Sequence, residues 1–123
     1  MNFRRLVPNI FYTDINDGLK LFIDALGFEM TYDDLGSSEH PFCVVEKDHL
    51  KVHLIQDAEF AGKDRPELRL ETTDISEAYD KIKASYPELL HPNLNRIKLQ
   101  HWNAKEFAIR DESGVCIIIQ QWQ

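Results

Sequence analysis

The sequence predicts an α+β fold: two βαβββ modules whose curved mixed sheets face each other across a cleft, with the helices outside. Three observations carry this expectation. Thr13-Asp14-Ile15 recurs as Thr73-Asp74-Ile75, sixty positions further on. Both copies stand where a strand-like run gives way to helical spacing. Each helix is then succeeded by three more strand-like runs. Three identities alone carry little weight, but the matching order of elements makes internal duplication the better explanation.

Residues 6–12 read as a strand bounded by Asp14, whose carboxylate suits a helix N-cap. Ile15, Leu19, Phe22, Ile23 and Leu26 then share one helical face, and Gly27 marks its end. Residues 28–33 form a strand, and the polar stretch 34–41 a loop. Residues 42–46 and 50–55 form a hairpin around Lys47-Asp48-His49. In the second copy, 67–72 is a strand with alternating Leu68 and Leu70. Asp74 caps a helix with Ile75, Ala78, Tyr79 and Ile82 on one face, and Pro87 and Pro92 interrupt the chain beyond it. Three strands complete the copy, over 96–99, 105–110 and 115–121, the last two joined by Asp111-Glu112-Ser113-Gly114. The expected organisation is one domain of two repeated modules, 1–56 and 67–123, joined by the polar linker 57–66. One module is too small to cover both faces of its sheet. Two facing modules solve this within one chain, and exchange between chains solves it in a dimer.

Composition narrows the function. The chain has 123 residues, 43% of them hydrophobic, enough for a folded core. Its 14 Lys and Arg against 21 Asp and Glu leave a net charge of −7. That disfavours nucleic acid and favours a cationic ligand. No apolar run approaches the roughly 20 residues of a membrane helix, and no signal peptide is apparent. Cys43 and Cys116 lie in apolar runs and read as buried free thiols, which fits a reducing cytoplasm. His40, His49, His91 and His101 form no HExxH or HxH spacing. No GxSxG, P-loop or GxGxxG is present.

The chain resembles the glyoxalase/bleomycin-resistance/dioxygenase, or vicinal-oxygen-chelate, superfamily. The likeness rests on Val7-Pro8, Asp14-Ile15 and Leu26-Gly27-Phe28-Glu29 in the first half. In the second half it rests on Trp102, Glu106-Phe107-Ala108-Ile109-Arg110-Asp111 and Ser113-Gly114. Glu112 and Val115 depart from the Pro and Asn usual in that pattern. Enzymes of this superfamily hold a divalent metal with His and Glu side chains from the first and last strands of each module. The resemblance carries those positions onto Val7, His53, Glu67 and Ile118, with Cys116 two residues from the last. Two candidate ligands fall short of the three that a catalytic metal needs.

The resemblance therefore implies a binding protein of the bleomycin-resistance type, expected to use no metal and no cofactor. Its expected partner is a small planar, cationic molecule held in an aromatic cleft. Trp102 falls at the family's aromatic position and Phe42 beside a second one; His53 and Glu67 complete the candidate ligand-binding set. The alternative is a metal-dependent glyoxalase- or dioxygenase-like lyase or isomerase using His53 and Glu67, with Cys116 as a third ligand. A homodimer is expected, with no nucleic-acid or membrane partner.

Overall fold

The computed structural model describes residues 1–37 and 39–123, so residue 38 of the expected loop 34–41 lies outside the described residues. The chain forms two compact units, Met1–Asp64 and Arg65–Gln123. Each holds a four-stranded mixed sheet, and the architecture is α+β. In the first unit β1 (Asn9–Tyr12), β2 (Glu29–Asp34), β3 (Phe42–Lys47) and β4 (Leu50–Gln56) lie in the order β1-β4-β3-β2. In the second, β5 (Glu67–Glu71), β6 (Lys98–Leu99), β7 (Ala104–Arg110) and β8 (Cys116–Trp122) lie in the order β5-β8-β7-β6. The first strand of each unit pairs parallel to the last, and the other pairs are antiparallel.

The first helix, α1 (Ile15–Leu19), starts as the sequence predicts. Asp14 is extended, and its carboxylate accepts from the Asn16 N–H at 3.0 Å. The helix then widens into a π-helical stretch, Lys20–Ala25, where the Leu26 N–H donates to the Leu21 carbonyl five residues back. That widening corrects the expected apolar face. Leu21 and Phe22 are fully buried, whereas Leu19, Ile23 and Leu26 are only half-buried. Gly27 ends the helix at φ +77°, a conformation that costs glycine nothing. Beneath the helix lie Ile10, Tyr12, Cys43, Val45, Val52 and Leu54, all buried. Gly18 sits against the Tyr12 ring, so Tyr12 marks the helix-covered face of the sheet.

The next helix, α2 (Ala58–Ala61), lies in the stretch 57–66 that was expected as a polar linker, and Asp57 caps it. Phe60 stacks there on Phe11 at 5.1 Å, so this stretch packs on the first sheet. In the second unit Asp74 caps α3 (Ile75–Ser85) through the Glu77 N–H at 3.1 Å. Ile75 and Ile82 are buried, and Tyr79 meets Phe107 edge-on at 5.1 Å. Phe107, Ile109, Ile117 and Ile119 therefore form the helix-covered layer, all buried.

The duplication reaches further than the repeated tripeptide. Gln56, at the end of β4, accepts from the Ile15 N–H at 3.0 Å; Gln121, near the end of β8, accepts from the Ile75 N–H at 2.8 Å. Each module thus ties its helix start to its last strand through a glutamine Oε1.

Two strand boundaries also need correction. The first strand begins at Asn9 rather than residue 6, because Pro8 has no N–H to donate; its carbonyl still accepts from the His53 N–H at 3.0 Å. The strand expected over 96–99 shrinks to Lys98–Leu99. Segment 90–94 takes the adjoining edge of β7 instead, through His91 N–H to Ala108 and Ala108 N–H to Leu94, each at 2.9 Å. Among the described residues no helix is long and apolar enough to cross a membrane.

Candidate functional site: the sheet faces away from α1 and α3

Strand alternation sends neighbouring side chains to opposite faces. With Tyr12, Cys43 and Leu54 under α1, Phe11, Phe42, Val44, His53 and Ile55 fall on the opposite face of the first sheet, where Phe60 of α2 covers Phe11 and leaves the others clear of that ring. A β-bulge adds Tyr32 to them. Met30 pairs with Val45 but Tyr32 pairs with Val44, so Thr31 is the extra residue. The result is a row of rings: Tyr32 lies 5.4 Å from Phe42, and Phe42 lies 6.4 Å from His53. Two of the predicted site residues, Phe42 and His53, are thus neighbours on one face. His53 is half-buried, and no ion pair or side-chain hydrogen bond involves it among the described residues. At the edge of this face Arg5 donates to Glu46 at 2.6 Å. Hydrogen bonds from Thr31 and Arg5 hold the Glu46 carboxyl below the usual glutamate range.

On the second sheet the face away from α3 carries Glu67, Arg69, Ala104, Glu106, Ala108, Cys116, Ile118 and Gln120. Its centre is a buried carboxyl group. Glu106 is 1% exposed, and its Oε2 accepts from Gln120 Nε2 at 2.5 Å and from the Trp102 indole N–H at 3.3 Å. Arg69 Nε lies 3.7 Å from the same oxygen. The network continues outward, since Trp122 Nε1 donates to Gln120 Oε1 at 3.0 Å. Trp102 stands on the β6–β7 turn, which Asn103 closes with a positive φ of 70°. It is 38% exposed and meets the His101 ring edge-on at 4.7 Å. Glu67, the other predicted residue of this unit, is exposed and 3.7 Å from Arg69 Nη1.

The metal positions carried over by resemblance do not fit a metal. Val7 and Ile118 offer only hydrocarbon, and Ile118 takes the place in β8 that His53 holds in β4: Arg69 pairs with Ile118 as Asn9 pairs with His53. The Glu67 carboxylate already faces a guanidinium, which opposes a second cation beside it. Cys116 has its thiol pushed up by burial and then by Glu67, against Arg110 and Arg69, so it is a poor thiolate donor at neutral pH. Among the described residues no three His, Cys, Asp or Glu side chains are grouped as a metal site requires.

The sequence marks Trp102 but not Glu106, which accepts its indole N–H, nor Gln120 and Arg69, which meet the same carboxyl oxygen. One signal was present: Glu106 is a lone acidic residue directly before the apolar run 107–109. A charged residue in such a place is either exposed by alternation or buried with partners. Here it is buried with partners.

The chain shares its fold with several solved structures, one of them a member of the glyoxalase/bleomycin resistance protein/dioxygenase superfamily. It is similar to the bleomycin-binding protein of bleomycin-producing Streptomyces verticillus, solved with copper(II)-bleomycin: 19% identity, TM-score 0.72, 100% of this chain and 99% of that one. A superfamily member from Sphaerobacter thermophilus matches at 18% identity and TM-score 0.73, over 98% of each chain. TioX from Micromonospora sp. ML1 matches at 13% identity and TM-score 0.78, over 97% of this chain and 98% of that one. No protein-family model and no curated protein matches the sequence.

Proposed function

We propose that this chain is a metal-free binding protein that sequesters a planar, cationic small molecule in an aromatic cleft, with Trp102 as one wall. The observation that carries the reading is Trp102 itself. A large ring, 38% exposed, stands on a turn and is held by its indole N–H on a buried carboxyl group. Such a ring offers a flat, oriented surface for stacking and for cation–π attraction. The net charge of −7 favours a cationic ligand at longer range. In the same unit as Trp102, Glu67 supplies a further negative charge, and in the first unit Phe42 and His53 offer an aromatic surface of their own. The fold shared with a bleomycin-binding protein makes bleomycin the first ligand to test.

The test is a titration of wild type, Trp102→Ala and His53→Ala with bleomycin. Trp102→Ala should weaken binding about 3- to 30-fold, the worth of one desolvated stacking contact. His53→Ala should change affinity little. Loss of binding in His53→Ala with Trp102→Ala unaffected would instead favour the metal-dependent enzyme.

A further inference from the structure

Glu106 is buried to 1% exposure, yet its partners crowd one oxygen. Gln120 Nε2 at 2.5 Å, Trp102 Nε1 at 3.3 Å and Arg69 Nε at 3.7 Å all meet Oε2. No described residue donates to Oε1. Every fully buried side-chain polar atom among the described residues has a partner, so Oε1 keeps a small opening to the outside. A carboxyl oxygen so nearly buried, without a donor, is costly, and a bound N–H group would recover that cost. The local charge leaves room for a cation. Arg69 is shared between Glu67 and Glu106, at 3.7 Å from each. One guanidinium between two carboxylates leaves one negative charge uncompensated. Lys98 lies opposite Glu106 in the β6–β7 register, but it is exposed and forms no ion pair with it.

We infer that Glu106 Oε1 is the acceptor for an amidinium- or guanidinium-type group carried on a planar ring that lies against Trp102, an assignment that rests on the aromatic-binding function proposed above. The same carboxyl group then does two things: Oε2 fixes the indole through its N–H, and Oε1 reads the charge of what stacks on it. Charge-assisted hydrogen bonds of this kind are the strong ones. A ring with a neutral amide in that place would keep the stacking and lose the charge pairing.

Two probes of one shape separate these roles: benzamidine, which is cationic, and benzamide, which is neutral. Both are titrated into wild type, Glu106→Gln and Trp102→Ala, with circular dichroism confirming that each variant is folded. Glu106→Gln keeps the shape of the side chain and an acceptor oxygen for the indole. It should weaken benzamidine by about tenfold or more and leave benzamide within about twofold. Trp102→Ala should weaken both probes. Equal loss of both probes in Glu106→Gln would overturn the assignment, because Glu106 would then act only by positioning Trp102. No loss in Glu106→Gln, or no benzamidine binding to wild type, would overturn it too. Loss in Trp102→Ala with none in Glu106→Gln would leave the aromatic-binding function standing and remove Glu106 from recognition. Selective benzamidine loss in Glu106→Gln with Trp102→Ala unaffected would keep Glu106 and remove the stacking wall.

Discussion

Gln56 and Gln121 do the same task in the two halves, and neither is distinguished by sequence from an ordinary polar strand end. Each accepts the first helical N–H, a group with no partner inside its own helix. Gln121→Ala should therefore cost about 1 kcal/mol, the usual worth of such a bond, read as a lower midpoint in urea unfolding. An unchanged midpoint would mean that water serves the Ile75 N–H equally well. Glu46 carries a pH consequence. Its folded pKa is lowered by Thr31 and Arg5, so its contribution to stability is present above the ordinary glutamate pKa of about 4.3. That contribution is lost as pH falls through the lowered folded value. Wild type should lose stability faster than Glu46→Gln across that acid window in thermal melts. Parallel loss in both proteins would remove Glu46 as a cause. Cys43 is the opposite case: burial, then Asp33, pushes its thiol up to about 11, which keeps it a neutral packing group.

At the scale of elements, the features legible in the sequence are those that periodicity and capping encode. The two Thr-Asp-Ile corners, the glycine stop at Gly27 and the hairpin around Asp48 are all local signals, and all appear as local structure. The π-helical stretch was not legible, because spacing alone favours an unbroken α-helix there and only packing selects Leu21 with Phe22. The bulge at Thr31 was hidden for a similar reason: one extra residue leaves no mark on composition, yet it decides which face Tyr32 occupies. Helix α1 also packs closely on its own sheet. A Cβ added at Gly18 would stand 2.5 Å from Tyr12 Cε2, on a ring that is fully buried. Gly18→Ala gains helix propensity but forces that ring to move, and overpacking should dominate. We expect a net destabilisation of about 1–3 kcal/mol by chemical denaturation. A more stable variant would show that the ring can yield.

For the whole molecule, the fold and the candidate site were legible to different depths. Duplication and element order sufficed for two βαβββ modules, because they are global patterns that survive at 18–19% identity to solved structures. The candidate site was legible only in part. Trp102 is marked by its residue type, whereas the buried Glu106–Gln120 pair that adjoins it depends on the pairing of β7 with β8. The homodimer expected from sequence is a proposal at this scale. Met1, Phe3 and Leu6 of the first unit are exposed apolar side chains close in sequence, of the kind a partner surface would cover. Light scattering at micromolar concentration should give twice the chain mass of 14.4 kDa, and a clean monomer would contradict the proposal.

The central claim is recognition of a planar cation by an aromatic site that needs no metal. Its most direct test is titration calorimetry of the protein, freed of metal, with metal-free bleomycin in excess chelator. Saturable binding, unchanged when chelator is omitted and weakened about 3- to 30-fold in Trp102→Ala, is the expected result. Binding that disappears in chelator and returns with a stoichiometric divalent ion would contradict it.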